Sequence, residues 1–192
     1  MNKIVKRIQE LSTLANLISN DSELIQQINS VIEVMSDAYR NGKKTIFCGN
    51  GGSAAEAQHL AAELSGKFLL ERKPLPAEVC HANSSFVTAV SNDYDYTLVY
   101  NRHIEAFGNK GDVLIGLSTS GTSENIVKAF QTAKEKGLTT VSFTGNTGGL
   151  LNELADFCIK VPSENVPRIQ EIHLLMGHII CEKVEQSLFG NE

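Results

Sequence analysis

The sequence has no Cys-x-x-Cys pair, no apolar run of membrane-spanning length, only four prolines, and no excess of positive charge. Each shortage excludes something. Seventeen Lys and Arg against twenty-two Asp and Glu leave a formal charge of −5. That sign argues against a broad nucleic-acid surface, while a local basic pocket stays open. Cys48, Cys80, Cys158 and Cys181 are far apart, three of them in apolar strand-like or helical surroundings. Buried free thiols are therefore expected ahead of a disulfide, and a disulfide ahead of a structural zinc site. Residues 1–10 are charged and amphipathic with no apolar signal core, so no membrane association and a cytoplasmic location are expected. What is present is 192 residues, 42% hydrophobic and 20% charged. That is enough for an ordered core within one domain over residues 1–192.

Residues 1–42 carry almost no strand signal. Apolar positions at helical spacing over 3–18 and 22–40, with Ser19-Asn20-Asp21 as break and cap, predict an N-terminal helical hairpin that Asn41-Gly42 ends. It holds no evident chemistry. From residue 44 the pattern becomes strand, loop, helix, repeated. Strands are expected at 44–48, 77–81, 112–117, 139–143 and 157–160, and helices at 54–65, 97–107, 123–136, 148–154 and 167–188. Residues 113–117, Val-Leu-Ile-Gly-Leu, read as a strand buried on both faces, which parallel sheets covered by helices require. The fold class is α/β, a three-layer αβα sandwich around a mainly parallel five-stranded sheet. In such folds ligands collect beyond the C-terminal ends of the strands.

Two loops fall at that edge. Gly49-Asn50-Gly51-Gly52-Ser53 joins the first strand to an alanine-rich helix. Its glycines let backbone amides approach a ligand, and Ser53 adds a hydroxyl at the helix start. It lacks the spaced glycines of a dinucleotide fingerprint and the lysine of a P-loop, and it also reads as a plain turn with Ser53 as the cap. Ser118-Thr119-Ser120-Gly121-Thr122-Ser123 has five hydroxyls in six residues, more than one N-cap needs. Hydroxyls and first-turn amides together can surround a phosphate without a lysine, although Ser123 with Glu124 or Asn125 also fits an ordinary capped start. Two such loops on one edge favour a phosphate site. A third polar turn, Thr144 to Gly149, lies on the same edge and is assigned no role.

His59 and Glu63 are four apart on one helix, hence on one face. They can share a metal or exchange protons with a substrate, and a surface ion pair is the alternative. Leu60, Ala61, Ala62 and Leu64 mark that helix as mostly buried, and a carboxylate in a partly closed site suits a general base. The last helix supplies Arg168, Gln170, Glu171, His173 and His178, with Pro167 in its first turn. His178 lies among Leu174, Leu175, Met176, Ile179 and Ile180, and periodicity alone favours placing it in the core. Asn92-Asp93 can recognise sugar hydroxyls or simply make a capping turn.

With these residues in view the chain closely resembles the bacterial phosphoheptose isomerases, or sedoheptulose 7-phosphate isomerases, of the sugar isomerase (SIS) domain superfamily. The resemblance covers nearly the whole chain. It rests on Asn50-Gly51-Gly52-Ser53 with His59 and Glu63, on Ser91-Asn92-Asp93, on Ser118 to Ser123, and on Arg168-Ile169-Gln170-Glu171-Ile172-His173 with His178. It implies a flavodoxin-like SIS fold and conversion of sedoheptulose 7-phosphate into D-glycero-D-manno-heptose 7-phosphate, a step toward lipopolysaccharide or capsule heptose. It also implies a cytoplasmic homotetramer with active sites at subunit interfaces.

By resemblance, the substrate contacts are Asn50, Gly51, Gly52, Ser53, Glu63, Asn92, Asp93, Ser118, Thr119, Ser120, Ser123 and Gln170. Glu63 is the base and His178 its acid/base counterpart, and some family members hold zinc on the equivalents of His59, Glu63, Gln170 and His178. In a regular helix Gln170 and His178 stand about 12 Å apart along the axis, long for two ligands of one ion. Either the side chains reach inward, or the helix is irregular, or different subunits contribute. Two departures stand out: Lys67 where the family often has arginine, and Pro167 where an aspartate often precedes Arg-Ile-Gln. Two other readings remain. One is a non-catalytic tetrameric scaffold binding the replication initiator, against which Glu63 and His178 argue. The other is an SIS isomerase or sensor for another sugar phosphate, often fused to an amidotransferase or DNA-binding domain that this chain lacks.

Overall fold

The structure, a computed structural model, describes residues 2–190. The expected hairpin is formed by α1 (Lys3–Ser19) and α2 (Ser22–Arg40). Asn2 and Asp21 cap them, each side chain accepting from a first-turn amide. Their apolar faces, with Leu14, Ile18, Leu24, Ile28, Val31 and Met35 buried, do not stand apart from the body. They join α3 (Gly52–Ser65) and the long α8 (Val166–Phe189) in one layer against the sheet.

Five parallel strands make that sheet: β1 (Thr45–Gly49), β2 (Ala77–Val79), β3 (Val113–Ser118), β4 (Thr139–Thr144) and β5 (Phe157–Lys160), in the order β2-β1-β3-β4-β5. Side chains alternate across it. Phe47, Ile115, Leu117, Phe143 and Ile159 face the layer just described. Ile46, Cys48 and Leu114 face a second layer built from α4 (Ser84–Asp93), α5 (Val99–Phe107), α6 (Glu124–Glu135) and α7 (Leu151–Leu154). The result is the expected three-layer sandwich. All four cysteines are free thiols, three buried and Cys158 half-buried.

The strand order reverses between β1 and β3, the place beyond the strand ends where ligands bind in open parallel sheets. Register places Gly49 opposite Leu117, so the loops that leave β1 and β3 start side by side. This topology is what makes the two polar loops one site.

Three elements differ from expectation. Helix α4 is absent from the sequence pattern because Ser, Thr and Val dominate it and only Val90 is buried. The Asn83 side chain nevertheless caps it, accepting from Phe86 N at 3.1 Å. The stretch 97–107 divides into a 3-10 turn at Tyr96–Leu98 and α5. The expected helix at 148–154 shrinks to α7, because Gly148 and Gly149 have positive φ (74° and 54°) and cannot be helical.

Candidate active site

Both loops open helices whose N-cap residues make no side-chain bond to the first turn. Gly51, at φ +55°, turns the chain into α3, and Ser123 precedes α6. Ser53 lies inside α3 rather than at its cap, while Ser123 occupies the N-cap position of α6 with its hydroxyl turned to Ser118 instead of to a first-turn amide. Ser118 Oγ, buried at the strand end, lies 3.1 Å from Ser123 Oγ and accepts from Gly121 N at 3.2 Å. Ser120 is exposed and accepts from Thr122 N at 3.2 Å. Two helix N-termini with Ser53, Ser118, Thr119, Ser120 and Ser123 around them form a cradle suited to an anion. The third turn supports this loop from behind: Gly145 N donates to the Thr119 carbonyl at 2.9 Å and Leu151 N to the Gly121 carbonyl at 3.1 Å. Gly121, at φ +67°, has no room for a side chain because Gly148 O lies where a Cβ would be.

The titratable cluster lies further along α3, where α8 packs against it. His59 Nε2 is 2.8 Å from His178 Nε2 and 3.1 Å from Glu63 Oε1. One ligand atom from each of the three falls within 4.8 Å of the others. Two imidazole nitrogens and a carboxylate oxygen converging on one point are the donor set of a borderline cation with an open position, so the residues fit a metal. The cluster is open to solvent in this chain: the His59 side chain is 47% exposed and Glu63 22%. Phe68 stacks on the His178 ring at 5.7 Å between centroids.

His178 is therefore not the core histidine that periodicity favoured. His173 is. It is fully buried, meets Phe143 edge-on, and sits 3.1 Å from the Thr144 carbonyl. A carbonyl only accepts, so Nε2 carries the hydrogen. Burial pushes its pKa down to about 4, with the Thr144 carbonyl opposing. An unfolded histidine titrates near 6.5. Between those values the unfolded chain binds a proton that the folded chain does not. Stability is therefore expected to fall as pH drops from about 6.5 toward 4, by up to about 3 kcal/mol. Denaturant titrations of parent and His173→Gln across that window check it: the variant should lose most of this slope.

Gln170 does not join the metal-type cluster. Helix α8 runs unbroken from Val166 to Phe189, and Gln170 lies at the first loop, its Nε2 3.4 Å from Ser53 Oγ and packed on Gly52. The irregular-helix option is thereby removed. Asn92 and Asp93 close α4, both exposed, and Asn92 Nδ2 donates to Asp93 Oδ1 at 2.9 Å. Lys67 pairs with Glu71 at 2.8 Å on the surface, and Pro167 occupies the first turn of α8.

The matches to known proteins agree with this geometry. Residues 11–145 match the SIS domain family model. A phosphoheptose isomerase from Clostridium acetobutylicum is 49% identical over 191 residues, covering all of this chain and 97% of the relative. The chain belongs to the phosphoheptose isomerase family. Another member, from Aneurinibacillus thermoaerophilus, is 45% identical across the whole chain and 98% of its own length. The solved structure of a phosphoheptose isomerase from Francisella tularensis superposes with a TM-score of 0.92 at 33% identity, covering 96% of this chain and 97% of that one.

Sequence reading missed several groups around this phosphoheptose isomerase site. Glu56, one turn after Ser53, has its carboxyl pushed up to about 7 by burial, with the Ser53 hydroxyl opposing. Near neutral pH it is partly uncharged, which eases the approach of an anion to the cradle. The Ser-x-x-Glu spacing from Ser53 was the available signal. Arg72 and Glu185 form a fully buried ion pair at 2.7 Å. Arg72 also donates to the Glu63 and Leu64 carbonyls at 2.9 and 2.8 Å, tying off the end of α3. No local pattern announces a pair 113 residues apart.

Proposed function

We propose that the chain, acting as one SIS domain over residues 1–192, isomerises sedoheptulose 7-phosphate to D-glycero-D-manno-heptose 7-phosphate through an enediol, supplying heptose for lipopolysaccharide or capsule. The observation that carries this reading is the convergence of His59, Glu63 and His178 on helices whose other ends frame the phosphate cradle, in a member of this family. Ser53, the backbone of Asn50 to Gly52, and Ser118, Thr119, Ser120 and Ser123 hold the phosphate. Asn92 and Asp93 meet the sugar hydroxyls, and Gln170 orients the chain beside Ser53. Phosphate held far from the reacting carbons supplies binding free energy that positions them.

Glu63 takes the proton from C1 of the open ketose and delivers it to C2, passing through the enediol. Its Oε1 faces His59, which leaves Oε2 for that transfer. His178, held by Phe68 stacking, moves protons on the C1 and C2 oxygens and assists ring opening. His59, Glu63 and His178 would hold a zinc ion, which when bound polarises the substrate carbonyl and stabilises the developing oxyanion. Because Gln170 lies beside Ser53 in this chain, we take it to reach such an ion from a second subunit. That requirement, and the solvent exposure of His59, support a homotetramer with interface active sites. None of the described helices is long and apolar enough to cross a membrane, in keeping with work in the cytoplasm.

Purified protein assayed on sedoheptulose 7-phosphate, with fructose 6-phosphate beside it and with and without a chelator, tests the reading. Heptose 7-phosphate is the expected product, and its absence under all conditions would sink the proposal. Ser120→Ala should raise KM about tenfold or more, the loss of one hydrogen bond to a charged ligand. An unchanged KM counts against the phosphate cradle.

A further inference from the structure

The Asn50 side chain, in the middle of the first loop, reaches across to the first turn of α6. Asn125 Oδ1 accepts from Ile126 N at 3.0 Å. A backbone N–H can only donate, so this contact fixes which end of the Asn125 amide is oxygen. Its Nδ2 then donates to Asn50 Oδ1 at 2.9 Å, and Asn50 Nδ2 donates back to Asn125 Oδ1 at 2.9 Å. A reciprocal amide pair thus joins the loop after β1 to the helix start after β3. Asn125 is buried, 3% exposed, where an unmatched amide is costly.

Two tyrosines complete the link. Tyr96 OH, from the 3-10 turn, donates to Asn50 Oδ1 at 2.8 Å, filling the second lone pair. Tyr100 OH donates to the Gly49 carbonyl and approaches the same Oδ1 at 3.3 Å. The 3-10 turn is itself held: Asp95 accepts from Thr97 N at 2.8 Å, and Lys128 Nζ of α6 donates to Thr97 Oγ1 at 2.8 Å.

We propose that Asn125 and Tyr96 are positioning residues for sugar-phosphate binding: the Asn50–Asn125 amide pair, anchored by the Tyr96 hydroxyl, fixes the spacing of the two loops that grip the phosphate. Asn50 acts on the substrate through its backbone, since its side-chain oxygen is saturated by protein donors. The proposal rests on the phosphate-cradle reading above. A dianion held from two loops needs both at once, and an error in their separation weakens binding while the proton-transfer residues on α3 and α8 stay in place.

The test measures inorganic phosphate affinity and the KM and kcat for sedoheptulose 7-phosphate in folded variants. Asn125→Ala removes both cross-loop bonds and should raise the phosphate Kd and the KM about tenfold or more, with kcat changed less than about threefold. Tyr96→Phe, at a half-exposed residue, should raise KM about threefold. The same change made on top of Asn125→Ala should add little, because the two share one acceptor. A merely structural role would lower thermal stability without this split between KM and kcat or this non-additivity. Phosphate Kd and KM within twofold of the parent in both single variants would overturn the proposal. If Asn125→Ala fails to fold, Tyr96→Phe alone decides, an unchanged KM overturning it. Ser53→Ala and Ser120→Ala run alongside separate the two ideas. If these also leave phosphate affinity unchanged, the cradle itself is misassigned; if they weaken it and Asn125→Ala does not, only the positioning role falls.

Discussion

Replacing Glu63 by Gln is expected to lower kcat by about a thousandfold, the range for loss of a general base, while leaving substrate binding nearly intact. Gln matches the shape of Glu and keeps an oxygen that can face His59 Nε2, 3.1 Å away in the parent. What it loses is the ability to accept a proton from carbon. Three measurements isolate that role. Steady-state kinetics should show the fall in kcat with KM within a few-fold. Any metal bound by the parent should be retained, since an amide oxygen can still ligate. In deuterated water the parent should place solvent deuterium in the sugar at C1 or C2, and the variant should place none. Turnover within tenfold of the parent would remove Glu63 from the role of proton carrier. His178→Gln should spare deuterium exchange at carbon relative to net isomerisation, because its proposed task is at the oxygens.

The largest effect on stability is expected from the clamp behind the site. Glu185 is 1% exposed and accepts from Arg72 Nε at 2.7 Å, from Leu69 N and Leu70 N at 2.8 Å, and from Phe68 N at 3.3 Å. Glu185→Ala leaves a buried guanidinium and three amides without their acceptor, a loss of about 3–5 kcal/mol. For a chain of this length that lowers Tm by roughly 6–20 °C. Scanning calorimetry on both proteins measures it, and a shift under about 3 °C would contradict the assignment. Pairing it with Arg72→Met should recover only part of the loss, because the three amides stay unsatisfied. Phe68, which stacks on His178, hangs on this carboxylate, so activity should fall along with stability.

The clamp also sets a pH dependence of its own. Burial raises the Glu185 pKa, but the Leu70 and Leu69 amides, the Arg72 guanidinium and the Phe68 amide outweigh it and hold the carboxyl below its ordinary value. A depressed carboxyl contributes stability that is fully present above the unfolded pKa and is lost as pH falls through the folded one. The gap between parent and Glu185→Gln should accordingly be widest near neutrality and narrow in acid.

Most of the frame follows from local pattern. The apolar run after Asp112 required a strand buried on both faces, and alternating strand and helix signals required a parallel sheet with two helical layers. Glycine-rich and hydroxyl-rich loops at strand ends were legible as a candidate phosphate site because their chemistry is local. Helix α4 was not, because its Ser, Thr and Val residues carry little helical preference and only Val90 reaches the core. Nor were the two histidines of α8 separable in sequence. His173 and His178 are five residues apart in one apolar stretch, and only the position of α3 and β4 against that helix turns one inward to Thr144 and the other to His59.

By itself, the sequence determined the sandwich, the two loops and the pairing of His59 with Glu63, since each depends on residues within one turn or one strand of each other. Tertiary structure alone decided that α8 brings His178 to that pair and Gln170 to Ser53. It alone locked Asn50 to Asn125 and buried Arg72 against Glu185. These contacts join residues 75 to 119 positions apart. Their geometry is fixed by the sheet order and by the crossing of α3 with α8, which no local pattern encodes.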